Sequence, residues 1–207
     1  MNMGAKPSKR VGDSIDRHAD SSLLGAVLGA RRRTESAIGE GTAAALSRPR
    51  VLTVVPGAGF TFETGCLLRR LEGFDLTYLR TSYGGEPGKD GLPPGEWFPV
   101  RPFATLTKPS HLENLLAFID AFFATLRILG ARKVDLVLAV GTPHGVPMLL
   151  AGRLCNVRTV FVESITRVDR LSAVGRLVLR LRLASRLFVQ WPALQALHPR
   201  SELGIIL

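Results

Sequence analysis

Four stretches of the chain carry residues whose types and spacing suit chemistry. The first is Pro-Gly-Ala-Gly-Phe-Thr-Phe-Glu over 56–63, directly after a short apolar run. Glycines after a strand let backbone approach a phosphate, and the helix that follows offers free N–H groups to it. The same turn also reads as a plain tight connection. Its glycine spacing is not G-x-G-x-x-G, because Phe62 fills the third slot, and Arg80 stands where a ribose-binding acid would end the second strand. A nicotinamide or flavin site is disfavoured. No Gly-Lys-Ser/Thr follows, so the turn is not a Walker A loop.

The second stretch is Gly-Thr-Pro-His-Gly-Val-Pro over 141–147. Two glycines and two prolines make a shaped turn, in which His144 is either a base or phosphate donor or simply a solvated side chain. The third is Glu163-Ser164 with Arg167. Glu163 either accepts hydrogen bonds from a sugar or ties down its own loop through Ser164 and Arg167, and both arrangements perturb its pKa. The fourth is a predicted helix over 171–185. Its period places Val174, Leu177, Val178, Leu181 and Ala184 on the sheet, with Arg176, Leu179, Arg180, Leu183 and Arg186 opposite. Arginine beside exposed leucine fits a helix lying on an anionic membrane or against a partner. A basic surface with two stray leucines is the alternative. No aromatic residues interleave with these arginines, which disfavours nucleic acid. No His/Cys set has metal spacing and no G-x-S-x-G elbow occurs, so neither a metal nor a cofactor is expected.

These stretches are positioned by an alternation of elements. Apolar, β-branched runs predict strands at 51–55, 75–80, 134–140, 158–163 and 186–190, with a short one at 97–101. Helices are predicted over 61–71, 111–130, 143–154 and 171–185, and from Pro192 onward. Ser110 and Glu113 form an S-x-x-E capping box for the second helix. Residues 81–109 make a long loop. Continuously apolar strands alternating with helices imply a parallel sheet covered on both faces, a Rossmann-like α/β domain over 50–207. Such sheets bind ligands outside the carboxyl ends of their strands, where all three short stretches fall.

Composition bounds the partners. The 207 residues suit one sizeable domain with a tail, and residues 1–49 read as a flexible basic extension. A net charge of +10 suits nucleic acid, an anionic membrane or phosphorylated substrates. Cys66 and Cys155 read as buried thiols without a disulfide. No stretch is expected to supply the roughly 18–20 apolar residues that span a bilayer. The longest candidate, over 21–33, reads as a short helix in the tail.

The carboxy-terminal half then resembles a known family. Glu163-Ser164, Arg167-Val168, Leu171-Ser172, Gly175-Arg176-Leu177 and Val189-Gln190-Trp191 resemble the signature of an oligosaccharide-biosynthesis family. It contains the membrane-anchoring subunit of the UDP-N-acetylglucosamine transferase (asparagine-linked glycosylation, member fourteen-like) and bacterial polysaccharide-biosynthesis subunits. His198-Pro199, Leu203-Gly204 and the 134–147 stretch extend the resemblance to roughly 51–206. It implies the amino-terminal, acceptor-side half of a split GT-B glycosyltransferase on the cytoplasmic face of the membrane. That half binds a polyprenyl-diphosphate-linked acceptor and recruits a donor-binding subunit that carries most of the nucleotide-sugar site.

On that reading Gly57, Gly59 and Thr61 line the diphosphate, joined by Gly141 and Thr142. Glu163 and Arg167 shape the acceptor cleft or the subunit interface. Arg176, Leu179, Arg180, Leu183 and Arg186 meet membrane or partner, and Gln190 and Trp191 lie near the partner. The first loop departs from the family's Gly-x-Gly-Gly-His. Either His144 supplies the missing base, with Glu163, or this chain contributes none. Two other classes stay open: a stand-alone nucleotide-sugar glycosyltransferase using His144 and Glu163, and a basic nucleotide- or nucleic-acid-binding module.

Overall fold

The structure, a computed structural model, describes residues 48–57, 59–71, 73–103, 110–204 and 206. Most of the expected amino-terminal extension, including the short helix over 21–33, lies outside the described residues. Seven parallel strands form one sheet: β1 (Arg50–Val55), β2 (Asp75–Arg80), β3 (Glu96–Pro99), β4 (Leu136–Val140), β5 (Arg158–Val162), β6 (Arg186–Val189) and β7 (Glu202–Leu203). Their spatial order is β3-β2-β1-β4-β5-β6-β7. Val51 lies between Leu76 and Leu136, so the chain reverses its direction of travel across the sheet between β1 and β4. That reversal opens a crevice at the carboxyl ends of the two strands.

Among the described residues, five helices cover the sheet: α1 (Gly59–Arg69), α2 (His111–Ala131), α3 (Gly145–Leu154), α4 (Ala173–Leu181) and α5 (Pro192–Leu197). On one face, Leu67 and Leu68 of α1 pack with Val51, Val55 and Leu138. On the other, Ile128 of α2, Met148 of α3 and Val178 of α4 pack with Leu52, Val137 and Phe161. A strand between two such layers has no polar face, and the inner strands β1 and β4 are accordingly buried along almost their whole length.

Three expectations need correction. α4 ends at Leu181 and not at 185, because Arg182 takes a left-handed conformation (φ 51°, ψ 42°) and closes the helix. β7 was hidden in the sequence by its two-residue length. α2, capped by Ser110 accepting from the Glu113 N–H, is long and apolar enough to cross a bilayer by length and composition. It packs on the domain through Ala117, Ala121, Thr125 and Ile128. Its other face carries Leu112, Leu115, Leu116, Ile119 and Phe123, of which Leu112 and Phe123 are 66% and 61% exposed.

Candidate functional site at the switch-point rim

Three loops meet at the crevice. Gly57 has φ 110°, and a Cβ there would lie 2.5 Å from the Tyr83 carbonyl oxygen, so only glycine lets the β1–α1 turn pass under the loop after β2. The Thr81 hydroxyl donates to the Pro56 carbonyl at 2.8 Å and fixes that crossing. Gly141, with φ 56°, is pressed between Phe60 and Ser164, which joins the ends of β1, β4 and β5. Gly59, by contrast, opens the first turn of α1 with nothing within 4 Å of where a Cβ would sit. The first-turn N–H groups of a helix have no intrahelical acceptor. Thr61 adds a buried hydroxyl with no hydrogen-bond partner among the described residues.

The residues of the carboxy-terminal signature converge on a different task. The Glu163 side chain is 0% exposed. Its Oε1 accepts from the Ser164 N–H at 3.1 Å, and its Oε2 accepts from the Ser172 N–H at 3.0 Å and the Ser172 hydroxyl at 2.9 Å. Ser172 also caps α4 by accepting from the Gly175 N–H at 2.8 Å. A Cβ on Gly175 would collide with Glu163 Oε2. The spacing Glu-Ser, Leu-Ser, Gly is therefore a clasp between the tip of β5 and the start of α4. Two further members of the signature hold the same loop. Gln190 Nε2 donates to the Glu163 carbonyl at 2.9 Å, and Trp191 Nε1 donates to the Ile165 carbonyl at 2.7 Å. Burial pushes the Glu163 carboxyl above its ordinary pKa, while the Ser172 and Ser164 donors and the Arg167 charge pull it back.

Glu63 was not singled out by sequence reasoning. It is buried, and its Oε1 accepts from the Ser164 hydroxyl at 2.7 Å. This carboxylate of α1 thus braces the β5 loop from across the crevice. Its role shows only in the fold, where Phe62 is exposed and the neighbouring acid faces inward.

His144 is also enclosed, at 3% exposure, and is not a solvated loop side chain. Nε2 lies 3.0 Å from the Arg101 carbonyl and therefore carries the proton that it donates there. Nδ1, the acceptor in that tautomer, lies 3.4 Å from the Thr142 hydroxyl. Phe103 packs edge-on against the ring at 4.6 Å. Burial lowers the pKa of His144, opposed by its bond to the Arg101 carbonyl and by the charge of Asp120. Arg80, in the place of a ribose-binding acid, donates to the Gly84 carbonyl and stacks over Trp97 at 5.0 Å.

The outward residues of the fourth stretch are corrected. Leu183 is buried and Leu179 half-buried, both in the core, while Leu177 and Leu181 are exposed. The left-handed turn at Arg182 breaks the helical count between 181 and 183 and accounts for Leu183, while Leu177 and Leu179 lie within the unbroken helix. Arg186 lies on β6, paired with Glu202 of β7. Gln190 is buried rather than on a contact surface, and Trp191 is partly exposed. Arg167, Arg176 and Arg180 are exposed. Cys155 is exposed and Cys66 half-buried, and both thiols are free. Among the described residues no three His, Cys, Asp or Glu side chains converge as metal ligands.

The strand order, the switch-point turn and the helices on both faces define an α/β Rossmann-like domain of the kind that forms the amino-terminal half of a GT-B glycosyltransferase. The solved structure of MurG from Acinetobacter baumannii has this fold. It matches with a TM-score of 0.53 at 18% identity, over 70% of this chain and 42% of MurG. At that identity the likeness speaks to fold alone. The sequence supplies the family: residues 104–206 match the model described as "Oligosaccharide biosynthesis protein Alg14 like", and through them the chain belongs to that family. It is 28% identical over 107 residues to "UDP-N-acetylglucosamine transferase subunit ALG14" of Yarrowia lipolytica, which is 49% of each chain. The chain spans about half the length of that curated relative. The family match begins beyond β3, so the glycine turn of β1 and α1 lies outside it.

Proposed function

We propose that this chain is the acceptor-side, membrane-associated subunit of a two-component UDP-sugar transferase. It holds a polyprenyl-diphosphate-linked acceptor at the switch-point rim, on the cytoplasmic membrane face, and recruits a donor-binding partner. One observation carries this reading. The side chains suited to acid–base work, His144 and Glu163, are buried and bonded to their own chain. The open feature of the rim is the amino-terminal turn of α1 at Gly59, with the exposed guanidinium of Arg167 on the neighbouring loop. Such a rim binds an anionic group and leaves activation of the reacting hydroxyl to the partner. The word "subunit" in the relative's name supports the same division.

The apolar face of α2 is the surface suited to lipid. Five large side chains at helical spacing point away from the domain, so α2 lies along the membrane rather than through it. On this reading the partner meets the partly exposed Trp191 and α5, beside the last strand.

The test is transfer of labelled sugar from a panel of UDP-sugars to polyprenyl-diphosphate-linked acceptors, with this chain alone, with a candidate partner alone, and with both. Activity only with both is expected. Activity from this chain alone would overturn the division of labour and return His144 and Glu163 to a catalytic role.

A further inference from the structure

Away from the rim, the outer side of α4 forms one wall of a surface cavity of about 650 Å³; the other wall is the segment after α5. Arg176, Arg180, Arg182, His198 and Arg200 line it, together with three leucines. No carboxylate lines it, and among the described residues none pairs with Arg180, Arg182 or Arg200. The described Arg–Glu pairs lie elsewhere: Arg132 at the end of α2 with Glu96 of β3, and Arg186 of β6 with Glu202 of β7.

We infer that this cavity is a binding site for a phosphate group. Four guanidinium groups facing one cavity repel one another, and a multiply charged anion between them relieves that repulsion. The planar fork of arginine matches phosphate oxygens two at a time. Arg176 is already held, donating from Nη1 to the Leu171 carbonyl at 2.8 Å, and keeps its other donors. The backbone supplies a second, independent sign. Arg182 closes α4 at φ 51°, a conformation that glycine adopts without steric strain and an arginine does not. The chain accepts a strained residue at the one position of the helix cap that lines the cavity.

The leucines give the site an apolar floor, and Leu181 is 55% exposed beside it. The ligand is therefore a phosphate carried on an apolar or ring-bearing group, either a phospholipid headgroup or a soluble phosphate ester. This inference does not depend on the transferase reading.

The experiment uses the full chain and the triple variant Arg180→Ala, Arg182→Gly, Arg200→Ala. Because Arg182→Gly relieves the strained cap, thermal stability is expected to stay level or rise, which separates loss of binding from loss of folding. Pyrophosphate titrated calorimetrically probes the soluble source. Vesicles of phosphatidylglycerol against phosphatidylcholine, read by co-sedimentation, probe the lipid source. A loss of about tenfold or more in the triple variant with either probe supports the site and names its source. Equal binding by the two proteins, or no binding of either probe by the parent chain, overturns it. So does tighter binding of a polyglutamate peptide than of both phosphate probes, which would reassign the cavity to an acidic protein segment.

Discussion

α2 and α4 lie in the same layer over the sheet, yet α2 turns an apolar face outward and α4 a face of mixed arginine and leucine. α2 buries small residues, Ala117, Ala121 and Thr125, and exposes its large apolar ones. α4 buries Gly175 and Val178, and its outer side mixes Arg176 and Arg180 with Leu177 and Leu181. Their attachment differs as well. α2 begins with a single serine cap, and its first turn is exposed. α4 begins inside a buried network in which one carboxylate holds the helix cap and the preceding strand together. The difference teaches that an amphipathic pattern does not say which stripe faces inward. Small residues let α2 approach its neighbours closely, which leaves its leucines and phenylalanines for something other than the core.

The largest effect expected is on the clasp. Glu163→Ala leaves the buried Ser172 and Ser164 donors without an acceptor and should lower unfolding free energy by about 3 kcal/mol in a urea titration. Glu163→Gln, which keeps one acceptor oxygen, should cost clearly less. Equal losses would mean that the carboxylate packs but does not bond.

Next comes the face of α4. Leu183→Ala should cost about 2–4 kcal/mol as a buried truncation, while Leu181→Ala stays within about 0.5 kcal/mol. The opposite ranking would restore the uninterrupted helix that the sequence suggested.

The outward face of α2 is separable from stability. Leu115→Glu with Phe123→Glu should leave the urea midpoint nearly unchanged but weaken vesicle binding on the order of a hundredfold, from lost apolar burial. Converting Arg180 to Gln on α4 should weaken it by about tenfold at most, and only on anionic vesicles. If the arginine change does more, α4 carries the membrane contact and the contrast between the helices fails.

The smallest effect is in pH. Burial depresses His144, so as pH falls the unfolded chain takes up that proton first. Its contribution to stability is complete above the unfolded pKa of about 6.5 and declines below it, towards the depressed folded value. Glu163, raised by burial, tilts the other way: the folded state keeps its proton longer, so stability falls as pH rises above the ordinary carboxylate value. Melting curves of His144→Gln and Glu163→Gln against pH should depart from the parent with opposite slopes.

The sheet was legible in the sequence because a strand buried on both faces must be apolar throughout, as in VLTVV and LVLAV. The family signature was legible as spacing, but its purpose was not. Ser172 lies nine residues from Glu163 and Gln190 lies 27 away, and only the fold shows that both bond to Glu163. Glu63 reaches Ser164 across 101 residues, and His144 meets the Arg101 carbonyl 43 residues upstream. No local pattern announces such partners. At Leu183 the face of α4 departs from the count for a local reason: counting in steps of three and four assumes that the helix continues, and a single left-handed arginine ended it, whereas Leu177 and Leu179 exchange faces within the unbroken helix.

The carboxylate of Glu163 occupies the space that a side chain at position 175 would need. The two positions therefore behave genetically as one locus. A methyl group at 175 evicts the carboxylate, and shortening residue 163 vacates the volume but strands the serine donors. Recovery from Gly175→Ala has to come as a coordinated change at 163 and 172, so a suppressor search begun at the glycine leads back to the tip of β5.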